Sequence, residues 1–124
     1  MPVTTAGLNH IAGAIIGEAL TAFNAANAHL GVGDSSTAFA VGQTDLVAAT
    51  NKFREPINAA PGRAGAVLTF VATFETGDAN FAWNEVGIFN ASSSGTMLAR
   101  VVSSLGTKVS GDWTLTVTET LSLA

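Results

Sequence analysis

From Trp113 the chain reads WTLTVTETLSL, with Trp113, Leu115, Val117, Leu121 and Leu123 alternating with Thr114, Thr116, Thr118, Thr120 and Ser122. A period of two is the pattern of a strand with one face packed and the other solvated. A slip of one residue would turn every apolar side chain to water, so the register of this strand is tightly constrained. Glu119 is the one carboxylate on the apolar face. Either it takes a buried cationic partner, with Arg100, Lys108 and Arg54 as candidates, or it marks where the strand leaves the core, which is the simpler reading.

Other segments repeat the β pattern. Over Ala66–Thr76, Leu68, Phe70, Ala72 and Phe74 share the expected core face, and Val67, Thr69, Val71, Thr73 and Glu75 share the other. After a turn at Gly77-Asp78 comes WNEVGIFNASSSGTMLAR, Trp83 to Arg100, which predicts a hairpin continuing to Ser103. Ser92–Gly95 supplies its turn, with Gly95 free to take positive φ. Shorter strands are expected at Asn27–Gly33 and Lys52–Ile57, the second stopped by Pro56 and the turn signal Pro61-Gly62.

One substantial helix is expected over Thr4–Leu20, capped by Thr4 or Thr5, with Leu8, Ile11, Ile15 and Ala19 on one face. Gly13 and Gly17 share a face of it, which suits either a close approach of another backbone or a marginal helix held by packing. Between helix and strands lie a polar loop at Asp34–Gly42, carrying Phe39 and Val41, and a helical turn at Thr44–Ala49 capped by Thr44. No internal repeat or heptad pattern is visible. The expected fold is mainly β: one domain across residues 1–124, an antiparallel β-sandwich of about six to eight strands with one N-terminal helix.

Composition narrows the function classes. The chain has no cysteine and a net charge of −4, and its pI of about 4.8 argues against a phosphate-binding surface, hence against a nucleic-acid partner. The longest helical apolar stretch, Ile11–Leu20, carries Glu18 and is far short of the roughly 20 residues of a membrane span. No secretory signal is visible, so a soluble protein made in a cytoplasm is expected. Only 11% of residues are charged, against about 25% in ordinary soluble domains. Either Thr, Ser and Asn solvate the surface instead, or much of it is covered in an assembly, where charge is depleted.

No constellation points to catalysis. His10 and His29 have no carboxylate or nucleophile at a recognisable spacing, and there is no G-x-S-x-G elbow. Gly31-Val32-Gly33-Asp34-Ser35-Ser36 lacks the third glycine and the following helix of a dinucleotide loop. Glu75, Asp78 and Asn80 cross a turn in a manner compatible with a calcium loop, but one Asp-x-Asn is common in ordinary turns. Asn90-Ala91-Ser92 fits the glycosylation sequon and reads as a loop. Neither enzyme activity, cofactor nor metal is expected. Glu85 and Arg100 are candidates for a structural pair: they meet diagonally if Arg100 opposes Gly87, and lie on opposite faces if it opposes Val86.

The hairpin words Glu85-Val86-Gly87-Ile88-Phe89 and Met97-Leu98-Ala99-Arg100, around a short Ser/Gly loop, resemble a motif of small bacteriophage virion structural proteins. Similar pieces are Thr4-Thr5-Ala6-Gly7 before an apolar helix, His29–Ser36 with its Gly-x-Gly, Thr44-Asp45-Leu46 ahead of Phe53-Arg54, Asp78-Ala79-Asn80, and Lys108 before the last strand. The resemblance spans most of the chain in short, loose pieces. It implies a tail-collar or fibre-like module, or a stand-alone particle protein. With no repetitive shaft, coiled coil or separate receptor-binding domain in these residues, the expectation is a capsid decoration (cement) protein. It would be a homotrimer on the major capsid protein, located in the virion after synthesis in the bacterial host cytoplasm. A small tail-fibre, collar or baseplate component is the alternative, with host or glycan binding that would need an exposed aromatic such as Trp83. The segments expected to make contacts are the helix and the loops Asp34–Gly42 and Asn58–Gly65.

Overall fold

In the computed structural model, which describes residues 1–122, the period-two segments build two antiparallel sheets. The elements in chain order are α1 (Thr5–Ile15), β1 (His29–Gly33), β2 (Lys52–Pro56), β3 (Gly62–Ala64), β4 (Val67–Phe74), β5 (Ala82–Phe89), β6 (Met97–Thr107) and β7 (Trp113–Thr120). A four-stranded sheet runs β2-β1-β5-β6 and a three-stranded sheet runs β3-β4-β7. The expected mainly β sandwich with an N-terminal helix is the fold observed.

The core lies where the alternating faces meet. Phe70, Ala72 and Phe74 of β4 and Val117 of β7 pack against Leu30 and Val32 of β1, Val86 and Ile88 of β5, and Ala99 of β6. Aromatic edges link the layers: Trp83 meets Phe74 at 4.8 Å and Trp113 at 5.0 Å between ring centroids. Such edge-on pairs add about 0.5–1.5 kcal/mol each beyond the area they bury. Leu123 lies outside the described residues.

The helix departs from its expected form. It is capped by Thr4, whose side chain accepts from the Gly7 N–H, and ends at Ile15. Gly17 has φ +81, its N–H donates to the Ala14 carbonyl, and the next N–H, Glu18, reaches back to the Gly13 carbonyl. That is a Schellman ending, and it needs a residue free to adopt the left-handed region. Gly17 thus terminates the helix instead of admitting a neighbour. The close approach is at Gly7, where an added Cβ would lie 2.9 Å from the carbonyl carbon of Leu98 and closer still to its oxygen. The expected apolar face is also turned outward: Leu8 is 61% exposed and Ile15 79%, while Gly7 and Gly13 are buried. Ile11 alone of that set packs on the core.

Three further expectations change. Thr44–Ala49 is not a helical turn but an irregular loop with bends at Asp45 and Ala49. The Asn58–Gly65 loop contains β3, a three-residue edge strand paired through Gly62–Thr69 and Ala64–Val67. The hairpin's second strand runs on to Thr107.

Gly7→Ala tests the helix seat. Alanine favours a helix by about 1 kcal/mol over glycine, but the clash is with backbone and cannot be relieved by a rotamer. Overpacking of this kind costs about 1–3 kcal/mol, so urea unfolding of the variant is expected to show a net loss of stability.

Candidate functional site

Sequence alternation breaks on the outer face of the four-stranded sheet, where glycines stand in place of side chains. Gly31 pairs with Gly87, and Gly33 with Glu85. A Cβ on Gly31 or Gly87 would enter the ring of Phe89, at 2.7 and 2.8 Å, and one on Gly33 would strike the Glu85 carboxylate. These glycines form a floor on which large and charged side chains lie flat beneath the loop of residues 34–51.

Glu85 and Arg100 meet on this floor. The register pairs Gly87 with Arg100, which selects the diagonal arrangement. Arg100 Nε donates to Glu85 Oε1 at 2.8 Å, and both side chains are fully buried. The carboxylate also accepts the N–H groups of Val47 at 2.8 Å and Ala48 at 2.9 Å. The guanidinium donates to Gln43 Oε1 at 3.1 Å and to the Thr37 carbonyl at 2.9 Å. These bonds tie the irregular loop of residues 44–49 to the sheet by two of its N–H groups.

Beside it lies a second cluster. Arg54 sits 3.6 Å over the Phe89 ring, donates to the Ala91 and Ser94 carbonyls at 2.9 Å each, and pairs with Asp45 at 3.0 Å. Partial burial pushes the Asp45 carboxyl up, but the hydrogen bonds from Arg54 and the Leu46 N–H, with the charges of Arg54 and Lys52, bring it below its usual value. A shallow cleft of about 370 Å³ opens here, between Asp45, Lys52, Arg54 and Ser92–Ser94. Arg54 directs N–H groups to the Ala91 and Ser94 carbonyls of the hairpin turn and to Asp45.

The loop that resembles a calcium site already holds a cation. Lys108 is fully buried, and its Nζ donates to the carbonyls of Glu75 at 2.7 Å and Asp78 at 2.8 Å and to Asn80 Oδ1 at 2.8 Å. Of the side-chain oxygens that suggested a metal loop, Asn80 Oδ1 meets this ammonium, while Glu75 and Asp78 turn their backbone carbonyls to it. Among the described residues no group of three His, Asp or Glu converges as a metal site.

Glu119 overturns the simpler reading of the sequence. It is buried, and none of Arg100, Lys108 or Arg54 reaches it. The N-terminal ammonium of Met1 lies 3.2 Å from Oε2, near enough for charge attraction, although neither carboxylate oxygen receives a well-directed hydrogen bond. Burial pushes the Glu119 carboxyl above its ordinary value, and the ammonium offsets part of that.

His10 Nε2 bonds the Thr21 carbonyl at 2.9 Å and His29 Nδ1 the Asn27 carbonyl at 2.8 Å, each a local contact. Trp83 is not an exposed platform: it is buried, and its Nε1 donates to the Ala79 carbonyl at 2.9 Å. Asn90 is likewise buried, accepting from the Thr96 N–H at 2.7 Å. Sequence reasoning missed the Lys108 nest and the Met1–Glu119 contact. A lysine one residue beyond a strand was the sole available signal for the first. Comparison with protein-family models, with curated proteins and with solved structures finds no match.

Two predictions follow the charges. Arg100→Met leaves a buried carboxylate without its cation, and urea unfolding is expected to show a loss of roughly 3–5 kcal/mol. Adding Glu85→Gln to that variant is expected to cost less than the sum of the single changes. A carboxyl whose pKa is higher folded than unfolded makes stability fall as pH rises from its ordinary value, 4.5 for Glu119, through the folded one. Unfolding of Glu119→Gln between about pH 4 and pH 7 is therefore expected to show a flatter decline than wild type.

Proposed function

We propose that this chain is a bacteriophage virion structural protein, a capsid decoration protein that stabilises the head by binding neighbouring capsid subunits. The observation that supports an adhesive role beyond the hairpin resemblance is the outer stripe of α1. Leu8, Ala12, Ile15 and Ile16 follow a spacing of four, seven and eight, the period of one helix face. Ile16 is 76% exposed, and Val41, 61% exposed, lies beside the helix start because its carbonyl accepts from the Thr5 N–H. No residue from Thr5 to Ile15 is Asp, Glu, Lys or Arg. Contiguous apolar surface of this kind marks contact with another macromolecule.

In this reading the buried ion pairs are framework and the mechanism is adhesion. A homo-oligomer, with three copies the expected form, engages several capsid subunits at once. Each weak contact then gains from the effective concentration set by the others, and binding the assembled shell alone stabilises it by mass action. No bond is made or broken, so no cofactor is required.

Purified protein is expected to bind isolated heads and raise the temperature at which they open. Ile15→Lys with Ile16→Lys, both on exposed positions, is expected to weaken that binding at least tenfold, about 1.4 kcal/mol, at an unchanged urea midpoint. Binding to tails instead of heads favours the tail or baseplate alternative, and binding to neither rejects the virion reading.

A further inference from the structure

Three segments meet around the cleft beside Asp45. β2 brings Lys52 and Arg54, the loop before it brings Asp45, and the turn between β5 and β6 brings Ser92, Ser93 and Ser94. Arg54 holds these walls in place. Its side chain is only 9% exposed, lies over the Phe89 ring, and ties the Ala91 and Ser94 carbonyls of the turn to Asp45 Oδ1. The cleft is therefore shaped without a ligand, which reduces the ordering required on binding.

The groups left open in the cleft form a matched set. Oδ1 of Asp45 accepts from the Leu46 N–H and from Arg54, whereas Oδ2 meets Lys52 Nζ at a long 3.4 Å. Both side chains reach solvent, Asp45 at 46% and Lys52 at 37% exposure. A carboxylate oxygen accepts and an ammonium carries three donors, so an acceptor and spare donors stand side by side. Ser92, Ser93 and Ser94 are exposed along the rim, and a serine hydroxyl both donates and accepts. Leu46 and Phe53 supply the apolar part of the lining. The cleft's volume of about 370 Å³ falls in the range of small-molecule sites, roughly 300–1,000 Å³.

Charge decides which small molecule fits. An anion drawn to Lys52 would stand against Asp45, and a cation drawn to Asp45 would stand against Lys52 and Arg54. Adjacent hydroxyls on a neutral molecule meet neither penalty. One donates to Oδ2, its neighbour accepts from Nζ, and both bonds are charge-assisted. We infer that this cleft binds a pyranose sugar through two vicinal hydroxyls held between Asp45 and Lys52, with the serine hydroxyls of the turn meeting the next ones. The serine row extends the match from one hydroxyl pair to several, which a sugar ring carries and a simple alcohol does not. The C–H groups of the ring meet Leu46 and Phe53, and the buried Trp83 takes no part. The recognised group is the same in a free sugar and in the end unit of a longer glycan. The inference is independent of the decoration reading, whose contacts lie on α1, and each stands if the other fails.

The test titrates the protein with methyl α-glucoside, methyl α-mannoside and methyl β-galactoside and follows its NMR signals, with glycine and inorganic phosphate as zwitterionic and anionic controls. At least one glycoside is expected to shift the signals of Asp45, Leu46 and Ser92–Ser94 saturably, with a Kd of about 1–10 mM, while neither control does. Lys52→Met and, separately, Ser93→Ala, both at exposed positions, are expected to weaken that binding about tenfold and about threefold, with unchanged urea midpoints. A disaccharide of the best-bound sugar separates the two sources within the inference: tighter binding than the glycoside assigns the cleft to a glycan chain, and equal binding to a free sugar. No saturable shift with any of the three glycosides at about 0.1 M overturns the inference, as does binding that both variants leave unchanged. Cleft signals that answer to glycine or phosphate but to no sugar overturn it too, and assign the cleft to a charged ligand.

Discussion

The ion pair between Glu85 and Arg100 is the interaction on which the rest of the structure turns. It joins adjacent strands of the central hairpin, with both groups fully out of solvent. Two buried charges lose several kcal/mol each of hydration, and their mutual attraction compensates only when the remaining lone pairs and protons are also satisfied. Here the loop supplies that satisfaction: the N–H groups of Val47 and Ala48 go to the carboxylate, and Gln43 and the Thr37 carbonyl take the guanidinium's protons. The pair thus sets the loop as much as the loop shields the pair. Removing either leaves the other exposed to a large electrostatic penalty.

This coupling adds a layer to the sandwich. One face of the four-stranded sheet packs on the three-stranded sheet through Leu30, Val32, Val86 and Ile88. The other carries a separate apolar cluster of Leu46, Phe89 and Met97 beside the polar network. Gly31, Gly33 and Gly87 make that second layer possible, since a methyl group at any of them would occupy the volume of Phe89 or of the Glu85 carboxylate. β1 and β5 are consequently covered on both faces, which accounts for their near-continuous burial.

How far the sequence disclosed this depended on whether the signal was local. The alternation of β4 and β7 is a property of consecutive residues, and both strands face as their patterns predict. The helix misled because Leu8, Ile11, Ile15 and Ala19 share a face whether that face meets a core or a partner, and periodicity does not say which. Gly17 was ambiguous for a similar reason: a helix-ending glycine and a close-packing glycine look alike until φ is known. In residues 44–49 the N–H groups of Val47 and Ala48 go to a carboxylate some forty residues away, a partner no local window contains. The Glu85–Arg100 pair hung on one step of register, and the turn that sets it was readable while the bulges in that hairpin, between Trp83 and Glu85 and between Ile88 and Phe89, were not. Met1 and Glu119 are separated by nearly the whole chain, and only the closed fold brings them together.

The Lys108 nest bears on how this end of the sandwich meets its surroundings. Loops built from converging carbonyls commonly borrow a divalent ion, and their order then rises and falls with the ion's supply. In this chain the positive charge is covalently tethered, delivered to Glu75, Asp78 and Asn80 by the backbone that follows β6. Nζ of Lys108 draws the Glu75 and Asp78 carbonyls and Asn80 Oδ1 together without a divalent ion between them. The connection between β4 and β5 is therefore tied to the end of β6 by a charge that belongs to the chain itself.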